Sequence, residues 1–219
     1  MTLLLALDTS GPAVTAALHD GVRVVAAAHH HDARRHAELL AATVSEVLAA
    51  QARVPAELTG VVVGVGPGPF TGLRVGVVTA RVLGAALGVP VSGVCSLDAL
   101  AEAAPAGLGA FLVATDARRH EVHWARYRRD GDGHPVRADG PCVARPADVP
   151  TGGLPVVGRG ALLYPGQLGE PPAGAPLDVD AAALARLGVR ASGVLLPPEP
   201  LYLCRPDAAE PGARKRVLR

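Results

Sequence analysis

Gly64-Val65-Gly66-Pro67-Gly68-Pro69-Phe70-Thr71-Gly72-Leu73-Arg74 is the segment whose reading decides the fold. It follows an apolar run, Leu58 to Val65, that has the character of a buried strand. It opens a helix that runs to about Gly88. Strand, glycine-rich turn and helix form a common anion-cradling unit, because a helix N-terminus presents unpaired N–H groups. Beyond the turn, glycine or alanine recurs every fourth residue, at Gly72, Gly76, Ala80, Gly84 and Gly88, with Leu73, Val75, Val77, Val78, Val82, Leu83 and Leu87 between them. A helix apolar nearly all round must be covered on more than one side. The row of small residues predicts close approach by another helix, with one side left for a second protein.

The glycine loop does not fit the familiar nucleotide motifs. Pro69 stands where a dinucleotide fingerprint needs its third glycine, and no acidic residue follows at the distance where a ribose partner belongs. A Walker A loop needs Gly-Lys, and the single lysine is Lys215. Pro67 and Pro69 also remove two N–H donors. The loop reads as a structural turn, with Gly66, Gly68 and Thr71 kept as candidate phosphate contacts. Asp8-Thr9-Ser10 has two readings as well. A carboxylate with hydroxyls at a strand-to-strand turn can face a magnesium phosphate, or cap the turn through local hydrogen bonds. His29-His30-His31-Asp32 and His36 raise the question of a metal, but consecutive histidines on a strand point to alternate faces. A solvated strand end is expected there, and Arg34-Arg35-His36 with Glu38 reads as a polar contact surface. Ser96 and Asp98 have no base nearby in sequence, which argues against a serine nucleophile.

Composition narrows the function classes. The chain has 219 residues, 49% hydrophobic and 19% charged, which is globular, with room for one large domain or two small lobes. A net charge of +1 provides no global basic field, and 3% aromatic residues make a base-stacking platform unsuitable. Cys95, Cys142 and Cys204 lie far apart, with no zinc or disulfide spacing, which fits a reducing cytoplasm. The N-terminal apolar run holds Asp8 and lacks a basic start, so no signal peptide is expected. Arg74 and Arg81, one heptad apart on the striped helix, speak against a membrane span.

Along the chain, strands are expected at Leu3 to Leu7, Ala13 to Leu18 and Val22 to His29, the last two joined by the His19-Asp20-Gly21 turn. A helix from Arg34 to Ala52 follows from the spacing of Leu39, Leu40, Val44, Val47 and Leu48. Pro90 to Val94 reads as a strand, then Ser96 as N-cap of a helix from Leu97 to Ala104. Pro105-Ala106-Gly107 marks a lobe boundary. Strands at Phe111 to Thr115 and His120 to Arg128 come next, with Asp130-Gly131-Asp132-Gly133 as a hairpin tip. From Gly140 to Pro176 the composition predicts mostly loop around a strand at Leu154 to Val157, followed by a helix at Asp180 to Leu187. The expected division is a first lobe over 1–104, a smaller degenerate lobe over 105–207 whose helix at 180–187 packs back on the first, and a flexible basic tail over 208–219. Three strands, a helix, a strand, a helix and a strand, repeated in reduced form, are an α/β plan of the actin-like ATPase fold: two lobes with mixed sheets flanked by helices.

Leu5-Ala6-Leu7-Asp8-Thr9-Ser10, Arg34-Arg35-His36-Ala37-Glu38-Leu39-Leu40, Gly66-Pro67-Gly68-Pro69-Phe70-Thr71-Gly72-Leu73-Arg74-Val75-Gly76 and Ser96-Leu97-Asp98-Ala99-Leu100-Ala101 occur in that order, and Pro200-Leu201-Tyr202-Leu203 follows near the end. On these segments the chain resembles the bacterial tRNA threonylcarbamoyladenosine biosynthesis family TsaB, or YeaZ, across the first lobe and more weakly across the second. The resemblance implies a non-catalytic scaffold that binds and completes the paralogue TsaD, which transfers a threonylcarbamoyl group to N6 of adenosine 37 in tRNAs reading codons that begin with A. TsaD carries His-Leu-Glu-Gly-His, with two metal-holding histidines, where this chain has Ser96-Leu97-Asp98-Ala99-Leu100, so that metal site is not expected here. The resemblance further implies the ATPase TsaE as a partner, tRNA reached only through the complex, no membrane, no cofactor of the chain's own, and nucleotide at most at an interface with the ATPase, and it leaves both a homodimer and a monomer open for the chain alone. The expected partner surface joins the first helix to the striped one, through Arg34, His36, Leu40, Val44, Val47, Gly76, Val77, Ala80 and Gly84. Pro69 stands where the family usually has serine, and Cys204 where it has arginine. The competing readings are a glycoprotease-like metallopeptidase, which H-E-x-x-H would support but which is missing, and a small-molecule kinase of the same fold. For the kinase, Gly158-Arg159-Gly160 is a poor substitute for an adenosine-binding Gly-Gly loop.

Overall fold

A computed structural model describes residues 2–32, 35–190 and 194–203. Strand β1 (Leu4–Asp8) forms the centre of a six-stranded mixed sheet with β2 (Ala13–His19), β3 (Val24–His31), β4 (Gly60–Gly64), β5 (Val91–Val94) and β10 (Leu195–Leu196), in the order β10-β5-β4-β1-β2-β3. β1 runs parallel to β4, and β4 to β5, while β2 and β3 return antiparallel. A second sheet, in the order β8-β7-β6-β9, contains β6 (Ala110–Arg118), β7 (Glu121–Arg129), β8 (Pro135–Ala144) and β9 (Val156–Val157).

Side-chain alternation builds the layers. Leu5, Leu7, Val61 and Val63 point to one face of the first sheet, where α1 (His36–Ala49) and α2 (Phe70–Leu87) cover them with Leu40, Val47, Leu73 and Val77. Ala6, Ala17 and Val62 point the other way, into a core shared by α3 (Ser96–Glu102) and α6 (Ala181–Arg190). That core is closed from the far side by Phe111, Val113 and Tyr127 of the second sheet. Leu112, Ala114 and Trp124 face outward beneath α4 (Arg159–Leu163) and α5 (Pro165–Leu168). Two mixed sheets thus lie on either side of a shared helical layer, with helices on their outer faces: the α/β architecture of an actin-like ATPase fold.

Three features depart from the sequence reading. Helix α1 is shorter than expected, starting at His36 and ending at Ala49, and Ala52 beyond it has φ 49°. Ser96 opens α3 rather than capping it, because its hydroxyl is engaged elsewhere. The stretch expected to be loop carries the second half of β8 and all of α4 and α5. β8 holds Pro135, Gly140 and Pro141 because it is an edge strand whose register slips against β7 between Trp124 and Tyr127.

The largest correction concerns the glycine stripe. Gly72, Gly76, Ala80 and Gly84 are buried against the chain's own first lobe, and Gly88 is the left-handed C-cap of α2, outside the row. A Cβ on Gly76 would come within 2.5 Å of Thr9 Oγ1, and one on Gly84 within 2.1 Å of Val91 Cγ2. The small residues therefore bring a helix close to strands, not to another protein's helix. Leu40, Val44, Val47, Val77 and Ala80, expected at a partner surface, are core residues. α2 is the one helix among the described residues long and apolar enough to cross a membrane, and that apolarity is explained by its seat on the sheet. Gly84→Ala tests this seat. Helix propensity alone favours alanine by about 1 kcal/mol, but overpacking a stiff valine should outweigh it and leave a net loss of about 1–2 kcal/mol, read as a lowered urea midpoint.

Candidate functional site

The turn after β1 sits beside the glycine loop, and its polar groups are tied down. Asp8 is buried. Its Oδ1 accepts from the Ser10 N–H at 2.7 Å and the Ser10 hydroxyl at 2.8 Å, and its Oδ2 accepts from the Ser96 hydroxyl at 2.7 Å. Ser96 Oγ in turn accepts the Gly66 N–H at 3.0 Å. Gly64 is required here, since a Cβ would lie 1.7 Å from Asp8 Oδ2. Burial pushes the Asp8 carboxyl above the ordinary carboxylate range, and the hydrogen bonds from Ser96 and Ser10 pull against that shift. Thr9 Oγ1 donates to Gly72 O at 2.7 Å, anchoring the first turn of α2. Of the two readings of Asp8-Thr9-Ser10, the local one describes the geometry.

The loop candidates behave alike. Gly66 exchanges backbone hydrogen bonds with Ser96, donating to its hydroxyl and accepting its N–H at 2.8 Å. A Cβ on Gly68 would strike Ser10 O at 2.1 Å. Thr71 alone of these is exposed. The histidines do not converge. His30 reaches Glu46 at 2.8 Å, His31 Nε2 accepts from Arg159 at 3.0 Å, and His36 Nε2 lies 2.8 Å from Gly11 O. Among the described residues no group of three His, Cys, Asp or Glu side chains is placed to hold a metal. Arg34 and Cys204, and the tail over 208–219, lie outside the described residues.

Between the lobes lies a cavity of about 190 Å³, with Leu97, Leu100, Leu177 and Val179 as apolar wall and Asp116, Arg118, Arg159 and Asp178 at its polar edge. Asp8 itself lies behind Ser10 and Ser96, which hold its carboxylate and also line the cavity. Its charges pair with each other: Arg159 grips Asp178 through Nε and Nη2, and Arg118 Nη1 lies 3.5 Å from Asp116. Beneath it Thr115 Oγ1 and His123 Nδ1 are buried without a hydrogen-bond partner, and burial pushes the His123 imidazole down to about 4. Behind α3, the Tyr127 hydroxyl donates to Asp98 at 2.7 Å, and Arg137 stands 3.5 Å from the same carboxylate. Sequence reading missed Asp116, Arg118 and Asp178. Their only signal was scattered charge in a stretch without a motif.

The fold and this cleft define a two-lobed α/β protein of the actin-like ATPase class, with the carboxylate after the first strand hydrogen-bonded to Ser10 and Ser96. The family model of TsaD, tRNA N6-adenosine threonylcarbamoyltransferase, matches residues 26–159. An uncharacterised protein of Mycobacterium tuberculosis is 46% identical over 95% of this chain and 94% of its own length. The Escherichia coli tRNA threonylcarbamoyladenosine biosynthesis protein TsaB is 35% identical over 59% of this chain and 57% of its own. The crystal structure of YeaZ from Pseudomonas aeruginosa superposes with a TM-score of 0.78 at 31% identity, covering 93% of this chain and all of that one. A second Pseudomonas aeruginosa structure, described as similar to the peptidase YeaZ, gives a TM-score of 0.81 at 29% identity over the same shares. The chain belongs to the TsaD family and, within it, to the TsaB/YeaZ type.

The state of Asp8 can be read from stability against pH. A carboxyl held above its unfolded-state pKa stabilises the fold on the acid side and withdraws that stability as pH rises through its folded value. Wild type should therefore lose stability relative to Asp8→Asn as the pH is raised from about 4 towards neutrality, measured by urea unfolding at each pH. A difference that stays flat would mean that the buried carboxylate ionises without penalty.

Proposed function

We propose that this chain is a subunit of the machinery that forms threonylcarbamoyladenosine in tRNA, and that it acts by binding a TsaD-type partner rather than by performing the transfer. The observation that carries the reading is Asp8, with both carboxylate oxygens engaged by Ser10 and Ser96 and lying behind them. Ser96 to Leu100, at the position of the metal-binding histidines of TsaD, lie buried in α3, where they serve the core. The same reading assigns the chain no cofactor of its own, a TsaE-type ATPase as a further partner with any nucleotide at that interface, tRNA contact through the complex, self-association when the partner is absent, and a cytoplasmic setting.

The partner surface moves from the buried stripe to the outward side of α2. Val78 and Val82, one turn apart, are 57% and 61% exposed. Arg74 shares their face, lies 3.7 Å over the Phe70 ring and donates to the Tyr202 hydroxyl at 2.9 Å. Phe70 and Tyr202 are themselves stacked, with centroids 5.3 Å apart. This apolar ribbon, ending in a rigid aromatic and arginine cluster, has the composition of an interface centre.

Co-purification with the host's TsaD, with tRNA modification assayed in the presence and absence of this chain, tests the function. Val78→Arg and Val82→Arg should each weaken binding about tenfold or more, at least 1.4 kcal/mol, with an unchanged circular dichroism spectrum. Val77→Arg should instead unfold the chain, because its side chain is in the core. Unchanged binding by both exposed variants would remove α2 from the interface. Modification that proceeds equally without the chain would remove the function itself.

A further inference from the structure

A second cavity, of about 340 Å³, opens where α1 and α2 begin side by side. Its walls are Gly11, Pro69, Phe70 and Val75, and its polar groups are His36, Thr71 and Arg118. Among the described residues no acidic side chain lines it. His36 is fixed in place by Gly11 O, and its ring faces the first turn of α2, near enough that a Cβ on Gly72 would meet it at 3.4 Å. Thr71 presents an exposed hydroxyl.

Arg118 reaches this cavity from the other lobe, and the backbone that delivers it is unusual. Arg118, Arg119 and His120 have φ of 67°, 54° and 59°, three consecutive non-glycine residues in the left-handed region. Each such residue costs about 1 kcal/mol or more, and hairpin turns of this shape ordinarily use Asn-Gly or Gly. The pairing of β6 with β7 up to Arg118 and Glu121 imposes the shape. Asp116 supports it by accepting the Arg118 N–H at 2.8 Å. The side chain is 63% exposed and only loosely paired, 3.5 Å from Asp116. Arg118 lines both this cavity and the one between the lobes.

We propose that this cavity is a socket for a single carboxylate, an Asp or Glu side chain presented by a protein partner. The proposal deepens the reading of the chain as a binding subunit and rests on it. The argument is charge complementarity: a concave site with a guanidinium, an imidazole and a hydroxyl, and among the described residues no acidic one in its wall, adjoining the exposed ribbon of α2. A nucleic-acid backbone is the poorer occupant. Repeating phosphates need a basic track, whereas these groups converge on one cavity in a chain of net charge +1. A guanidinium at the rim of an interface sets specificity and salt dependence through a bidentate contact with a carboxylate.

The experiment is a titration of the full chain, wild type and altered at Arg118, against the host's TsaD-type protein at low and high salt. Arg118→Glu should weaken binding about tenfold or more, Arg118→Ala by less, and Arg118→Lys should stay within about threefold of wild type, with the gap between wild type and Arg118→Glu narrowing at high salt. Thermal unfolding should be alike for all four, since the side chain lies outside the core. Equal affinity for wild type and Arg118→Glu overturns the socket while leaving the binding function intact. So does an Arg118→Lys as weak as Arg118→Ala with no salt dependence, which makes the site one of shape. If tRNA displaces the partner from wild type but not from Arg118→Glu, the site is a nucleic-acid contact and the proposal is wrong. If wild type shows no binding at all, the binding-subunit reading fails and the socket with it.

Discussion

The hydrogen bonds that run from Ser10 through Asp8 to Ser96 and on to the Gly66 N–H hold the first lobe in register. A carboxylate taken out of water is costly unless donors replace its hydration. Here one backbone N–H and two hydroxyls do so, two of them from Ser10 in the same turn and one from Ser96, 88 residues away. Their positions fix much else. Gly64 can carry no side chain, because the space is filled by Asp8 Oδ2. The glycine loop must return to Ser96, which is why α3 begins there with its hydroxyl turned into the core instead of capping the helix. Thr9, next in the turn, fixes the first turn of α2 through Gly72 O. The carboxylate is thereby engaged at both oxygens, Oδ1 by Ser10 and Oδ2 by Ser96.

The glycine stripe shows the same economy of space. A run of small residues on an apolar helix permits close approach, but the run itself does not say to what. Gly76 and Gly84 stand over Thr9 in the turn after β1 and Val91 of β5, so the close neighbours are side chains of the same lobe's sheet and its turn. Once α2 is pressed this near the sheet, its large residues divide into two sets. Leu73 and Val77 enter the core, while Val78 and Val82 are turned to solvent. The exposed ribbon is thus a geometric consequence of the stripe, found about half a turn around the helix from where the stripe points.

Much of the fold was legible because its signals are local. The continuous apolar β4, the Asp-Gly hairpin, the loop of glycine and proline, and the spacing of Leu40, Val44 and Val47 each follow from the chain within one element. The actin-like plan followed from their order. What was not legible depends on pairing over distance. β8 is half exposed, interrupted by Pro141 and irregular in register, so alternation fails to mark it, and only its bonds to β7 make it a strand. The fate of Asp8 could not be read from Asp8-Thr9-Ser10 alone, because the deciding partner, Ser96, is 88 residues away. Which side of α2 is covered was equally undecided by periodicity, since almost every side is apolar.

The distribution of charge adds a last step. In the cleft between the lobes, cation and anion come from neighbouring segments of the second lobe and hold each other, Arg159 with Asp178. A cleft whose charges are already matched attracts a charged ligand weakly, because binding must first break pairs that are partly sheltered from water. The surface around the start of α2 differs. Arg74 is engaged with the uncharged Phe70 and Tyr202, and Arg118 is mostly solvated, so both keep positive charge that a partner can complement. The electrostatic asymmetry therefore lies between a cleft whose cation and anion are matched and a helix surface where Arg74 and Arg118 face solvent, and an anion meeting that surface would require no rearrangement of the core.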